Sequence, residues 1–249
     1  MKIVASIQVR MGSTRFPGKA MYEISSKPLL GYLISRLKKS KLLDDIVVAT
    51  STNKENDVIE NYCKKNNISC YRGDEEDVLS RILESLEYMN ATIGVEVFGD
   101  CPLIDPIVVD YIINEFLNDI NDLDFVGNDL KTTFPPGMEV EVFKLSTLKD
   151  SNDRVNDKKI REHGTLFIRQ NPNLYKIKNI VAPEKWNYPE LELEVDTKED
   201  IIVISEIFNY FQNNDSFGID DIIKFLINNP KINNINKNVP RRWKMIRGE

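Results

Sequence analysis

Short β-branched runs alternate with helical stretches through the first half of this chain, and that alternation restricts its possible folds more than any other feature. Apolar, strand-like runs occupy residues 3–9, 46–50 and 93–98, with a shorter one at 69–72. Helical spacing covers residues 29–39, 54–66 and 77–89 between them, and 107–117 after the last. Pro28 stands near the start of the first helix, and Asp77 or an acidic neighbour is placed to cap the third. Strands separated by helices of ten or more residues form βαβ units and a mainly parallel sheet. Ligands of such sheets sit outside the carboxyl ends of the strands. The Arg10 loop, the Arg72-Gly73-Asp74 turn and the Gly99-Asp100 turn all leave those ends, so they are expected on one edge.

The second half is less regular. Residues 124–126, 139–143, 175–181 and 191–195 read as strands, and 157–169, 198–211 and 220–226 as helices. Thr133-Phe134-Pro135-Pro136-Gly137 is a break, and the Asn-rich run 228–238 reads as a loop. Without an internal repeat or a clean linker, the 249 residues read as one domain, with an inserted arm at about 131–190.

The net charge of -6 argues against non-specific nucleic-acid binding, which favours a basic surface. No apolar run approaches the roughly 18 residues of a membrane span, and the N-terminal apolar stretch is too short for a signal peptide. Cys63, Cys70 and Cys101 show no metal-ligand spacing and read as reduced thiols. A cytoplasmic protein is expected, without nucleic-acid or membrane partners. Trp186 and Trp243 read as packing or interface residues.

Against that acidic background, Arg10-Met11-Gly12-Ser13-Thr14-Arg15-Phe16-Pro17-Gly18-Lys19 gathers three cations, two glycines and two hydroxyls directly after a strand. Glycines admit phosphate oxygens close to backbone N–H groups, and Arg and Lys neutralise the charge. It is not a P-loop. Gly12 and Gly18 are one residue too far apart, and Ala20 stands where a P-loop carries its magnesium-binding hydroxyl.

Gly99-Asp100-Cys101-Pro102 presents the Asp100 carboxylate at a strand end, as a magnesium ligand or as a turn residue. Asp196, just before a helix, reads first as an N-cap and second as a further carboxylate on the same ion. His163 is the only histidine and shares a segment with Arg161, Glu162 and Arg169; it is structural or substrate-facing. Cys101 reads as packing.

In order along residues 1–212, five segments resemble the cytidylyltransferases that activate acidic sugars, including the enzymes making CMP-sialic acid and CMP-Kdo. The nearest resemblance is to the spore-coat-polysaccharide-F branch. The matching segments are Arg10 to Lys19, Arg72 to Leu79, Gly99 to Pro106, Arg161 to His163 and Val195 to Asp200. The resemblance implies an α/β, three-layer nucleotidyltransferase fold of the glycosyltransferase-A type: a mixed, mostly parallel sheet, often dimeric through an arm. It implies that Arg10, Gly12, Ser13, Arg15, Lys19, Arg72 and Asp77 contact the nucleotide. Arg10, Lys19 and Asp100 would act in catalysis, and Asp100 and Asp196 would bind Mg2+. Glu139, Glu162 and His163 would face the second substrate. Gly164 departs from the pattern, where an apolar β-branched residue is expected, and should bear on packing or pocket width.

The implied reaction is CTP plus an acidic or phosphorylated sugar giving a CMP-sugar and pyrophosphate, by in-line attack on the α-phosphate. A homodimer is expected from the resemblance and from the inserted arm at about 131–190. Three other readings stay open on the residues alone: use of another nucleoside triphosphate, a glycosyltransferase-A-type sugar transferase, and a non-catalytic nucleotide-binding subunit.

Overall fold

The computed structural model describes residues 1–212, 214, 216–241 and 244. Trp243 lies outside the described residues. Four parallel strands and their crossover helices form the first half: β1 (Ile3–Gln8), α1 (Leu29–Leu37), β2 (Asp45–Ser51), α2 (Asp57–Lys65), β3 (Ser69–Gly73), α3 (Val78–Tyr88), β4 (Ile93–Phe98) and α4 (Pro106–Asn118). The second half adds β5 (Phe125–Gly127), β6 (Glu141–Lys144), α5 (Leu145–Arg154), α6 (Lys158–Arg161), α7 (Leu166–Gln170), β7 (Ile177–Asn179), α8 (Lys198–Tyr210), α9 (Ile219–Asn228) and α10 (Pro230–Asn233).

These seven strands form one sheet, in the order β3-β2-β1-β4-β6-β5-β7, and Glu23–Ile24 pairs with Lys27–Pro28 in a separate two-stranded antiparallel ribbon. β1 pairs in parallel with both β2 and β4, and β6 runs antiparallel to β4 and β5. The chain therefore builds outward from β1 to β3, then returns to lay β4 on the other side of β1. That reversal opens a crevice at the carboxyl ends of β1 and β4, where Arg10 and Gly99 begin. Residues 131–190 carry β6 inside the sheet and β7 at its edge.

Both faces of the sheet are covered. Ile3, Ala5 and Ile7 of β1 join a core with α1, α4, α8 and α9, while Val4 faces the opposite core built with Val47, α3 and α5. Each fully buried Ile or Val side chain among them contributes roughly 1.5–3 kcal/mol relative to exposure. Helix starts are chemically marked. The Asp77 carboxylate accepts the Ser80 N–H (3.0 Å) to start α3, and Asp105 accepts the Ile107 N–H (2.7 Å) ahead of α4, whose first residue is Pro106.

Three expectations are corrected. The helix expected over residues 157–169 is broken into α6 and α7 by residues 162–165, because Gly164 is drawn against the sheet. Residues 191–195 form no strand. They run extended beside the strand ends, held where the Leu193 N–H meets the Pro136 carbonyl (2.7 Å) and the Val195 N–H meets that of Asp100 (2.9 Å). The 228–238 run is not all loop, since Pro230 starts the short helix α10.

Gly137 makes the approach of residues 191–195 possible. Its φ is +102°, and a Cβ there would lie 2.6 Å from the Leu193 carbonyl carbon and 2.8 Å from the Glu194 nitrogen. Gly137→Ala is expected to cost about 1–3 kcal/mol, since a strained φ and a backbone clash coincide. Urea unfolding measures this, and an unchanged midpoint would show that the 191–195 segment is free to shift.

Candidate active site

The loop after β1 folds back on the Met11 carbonyl, which accepts the N–H groups of Ser13 and Gly18, both at 2.9 Å. The Asn56 side chain takes the Met11 N–H (2.8 Å) and fixes the loop to the start of α2. Gly18, at φ +78°, turns the chain so that Lys19 points under the loop toward the ends of β4 and the 191–195 segment. The Lys19 ammonium there donates to Asp100 Oδ2 (2.8 Å), Asp196 Oδ1 (3.2 Å) and the Val195 carbonyl (2.7 Å). Burial opposes its charge, but the carboxylates of Asp100 and Asp196 outweigh this and hold it far above the usual lysine range.

Asp196 responds in the other direction. Burial alone would raise it; the Lys19 ammonium, a hydrogen bond from Glu194 and the Arg15 guanidinium bring it below the usual aspartate range. Arg15 pairs with Asp196 Oδ2 at 2.5 Å, and Arg10 with Glu75 Oε1 at 2.9 Å. Each loop cation thus has a carboxylate partner.

Two adjoining cavities, of about 270 and 300 Å3, share Arg10, Arg15, Asp100, Glu162 and Asp196 in their walls. The smaller is the phosphate-like half, with Gly12, Ser13, Thr14 and Lys19. The larger runs across the sheet toward β6 and includes Glu139, His163 and Gly164. Burial lowers His163 below its usual range, so its imidazole is neutral near pH 7. Glu139 is buried and accepts the Gly137 N–H (2.6 Å).

The fold therefore gathers Arg10, Gly12, Ser13, Arg15, Lys19, Asp100, Glu139, Glu162, His163 and Asp196 around one cleft. Arg72 and Asp77 line neither cavity. Arg72 pairs with Asp57 (2.8 Å) and Glu60 (2.5 Å) and donates to the Ser51 and Asn53 carbonyls, binding α2 to the sheet edge. Asp77 caps α3 and pairs with Arg161 (2.8 Å).

The floor of the larger cavity joins Arg169, which the sequence placed in one segment with His163, to partners the sequence did not single out. Arg169 bridges Asp129 (3.0 Å) and Glu141 (2.9 Å), and the Thr165 hydroxyl donates to Glu141 (2.5 Å). Glu96 lies beside them, with Oε2 buried and, among the described residues, without a hydrogen-bond partner. Burial, then the negative charges of Glu141 and Asp129, push the Glu96 carboxyl well above its usual range. A charged residue inside the apolar strand Ile93–Phe98 was the available signal. Glu96 also accounts for Gly164: a Cβ at 164 would fall 2.6 Å from Glu96 Oε2 and 2.5 Å from Ile82 Cδ1. The space of a β-branched side chain is already filled.

Asp100 and Asp196 direct oxygens at one cationic point, now held by the Lys19 ammonium. That donor set suits magnesium, which takes one or two carboxylates and completes its shell with water and substrate phosphates. Among the described residues, no group of three or more His, Cys, Asp or Glu side chains forms a fuller metal cage.

A parallel-sheet crevice with a cationic glycine loop and paired carboxylates at a strand end defines a nucleotide-handling α/β enzyme. The family model for cytidylyltransferases matches residues 4–232, and the chain belongs to that family. It is 33% identical over 233 residues to the spore coat polysaccharide biosynthesis protein SpsF of Bacillus subtilis, covering 92% of this chain and 95% of that protein. A 3-deoxy-manno-octulosonate cytidylyltransferase of Trichlorobacter lovleyi is 36% identical over 117 residues, 47% of this chain and 46% of that one. The solved structure of a cytidylyltransferase from Leptospira borgpetersenii superposes with a TM-score of 0.89 at 32% identity, over 97% of this chain and 99% of that one.

The raised Glu96 carboxyl has a consequence for stability. Above its ordinary value of 4.5, the unfolded chain releases this proton and the folded protein keeps it, so Glu96 costs stability as pH rises. Glu96→Gln keeps the neutral shape without the proton. Its melting temperature is expected to gain on that of the unmodified protein as pH rises above the ordinary value of 4.5, and parallel pH dependences would contradict a raised Glu96 carboxyl.

Proposed function

We propose that this cytidylyltransferase transfers CMP from CTP to a carboxylated sugar and releases pyrophosphate, for surface polysaccharide or glycan synthesis. The observation that carries the reading is the convergence of Lys19, Asp100 and Asp196, from three distant parts of the chain, beneath the glycine loop. The acceptor oxygen attacks the α-phosphorus in line, a new P–O bond forms, and the bond to the β-phosphate oxygen breaks. Such chemistry depends mainly on positioning and charge stabilisation, and needs no protein nucleophile.

Arg10, Arg15 and Lys19 supply positive charge where the pyrophosphate departs. Asp100 and Asp196 would hold Mg2+, which when bound neutralises phosphate charge. Gly12 and Ser13 let the phosphates approach the loop. The larger cavity would take the sugar: its carboxylate-rich walls, with Glu139, Glu141 and Glu162, suit the donor hydroxyls of a polyol, and Arg10 and Arg15 lie toward a carboxylate. The relatives named above as cytidylyltransferases and as a polysaccharide biosynthesis protein support this substrate class. A cytoplasmic homodimer belongs to the same reading, and a monomeric mass in solution would contradict the dimer.

Pyrophosphate release, measured with each nucleoside triphosphate, Mg2+ and a panel of sugar acids, tests the reaction. CTP with a carboxylated sugar is expected to give the highest turnover. Lys19→Ala and Asp100→Asn are each expected to lose about 10²–10³-fold in turnover while folding normally. Near-unmodified rates in both variants would remove these residues from the chemistry.

A further inference from the structure

Beyond residue 232, where the family match ends, the chain returns to the active site. Arg241 is buried, with only 1% of its side chain exposed. Its guanidinium grips the Asp200 carboxylate with two nitrogens, NH1 to Oδ2 at 3.1 Å and NH2 to Oδ1 at 2.7 Å. Its Nε lies 3.3 Å from Glu192. Asn236 fastens the same stretch: its Nδ2 donates to Asp200 Oδ1 (2.9 Å) and to the Glu192 carbonyl (3.0 Å).

We propose that residues 236–241 form a positioning strap for the active site, anchored by Arg241, that fixes Asp196 and Arg15 in the geometry that binds the metal–triphosphate. Two separate routes lead from the strap to Asp196. Along the first, Arg241 and Asn236 orient Asp200, whose Oδ2 accepts the backbone N–H groups of Asp196 (2.9 Å) and Thr197 (2.7 Å). Along the second, the Pro240 carbonyl accepts a hydrogen bond from Arg15 NH1 (3.1 Å), and Arg15 NH2 meets Asp196 Oδ2 (2.5 Å). Asp196 is thus set from its backbone side by Asp200 and from its carboxylate side by Arg15. A role confined to capping α8 would need the first route alone. The second ends on a side chain of the phosphate-facing loop and has no part in the cap.

Partners that orient a metal-binding carboxylate commonly change metal affinity or activity by about 10–100-fold when altered. The inference rests on the proposed nucleotidyl transfer only through the identity of the metal–triphosphate. Its direct readout is binding. Mn2+ affinity is measured by electron paramagnetic resonance on the full-length protein with CTP and no acceptor, alongside the Mg2+ concentration for half-maximal turnover and a thermal melt. Arg241→Met leaves Asp200 buried and uncompensated and can fail to fold, so Arg241→Lys and Asn236→Ala carry the test.

Both variants are expected to melt cooperatively, to bind Mn2+ about 10–100-fold more weakly, and to recover turnover at high Mg2+. Folded variants with unmodified Mn2+ affinity and unmodified Mg2+ dependence would overturn the strap's positioning role. If the variants weaken Mn2+ binding while the unmodified protein releases no pyrophosphate with any acceptor, the strap stands and the proposed reaction falls.

Discussion

The ammonium of Lys19, set between Asp100 and Asp196, is the contact on which the rest of the site depends. Without a cation there, two carboxylates at 2.8 and 3.2 Å from one point would repel each other in a partly buried space. With it, three pieces of chain are drawn together: the loop after β1, the turn after β4, and the segment leading into α8. The hydrogen bond from Lys19 to the Val195 carbonyl adds a backbone tie to the two charges. The arrangement also places a cation and two potential magnesium ligands within one contact, so binding a metal–triphosphate there requires Lys19 to share or yield its carboxylates.

Charge is arranged differently in the two halves of the cleft. In the loop half, each cation is matched by a nearby carboxylate, and under the proposed function an incoming triphosphate would compete with those carboxylates for the same cations. In the other half, the acids outnumber the single bridging cation Arg169, and burial with the neighbouring negative charges pushes the Glu96 carboxyl well above its usual range. Glu194 behaves likewise: burial, Asp100 and Glu139 push it well above its usual range, beside an Asp196 kept ionised by Lys19.

Legibility in the sequence followed the range of the interactions. The first-half strands and helices were readable because each records its own burial pattern, as in Ile3–Gln8, or its own cap, as with Asp77. The break within residues 157–169 was hidden, since it depends on Glu96 occupying the space beside Gly164 from a distant strand. The apolar alternation of residues 191–195 looked like a strand because a segment lying against a sheet edge buries the same pattern as one inside it. Arg72 and Asp77 follow the right strand, yet Asp57, Glu60 and Arg161 draw them into structural pairs. The role of Arg241 had no local signal at all, because its partners lie some forty residues earlier.

By itself, the sequence determined the mostly parallel sheet, the edge on which the site lies, and the loop cations and carboxylates available to it. These are consequences of local periodicity and of the rule that loops following parallel strands emerge together. Only the tertiary structure decided which charges meet: that Lys19 stands between Asp100 and Asp196, that Glu96 closes the space at Gly164, and that Arg241 reaches Asp200. The physical reason is that charge pairing and burial act between atoms a few ångströms apart, whatever their separation along the chain.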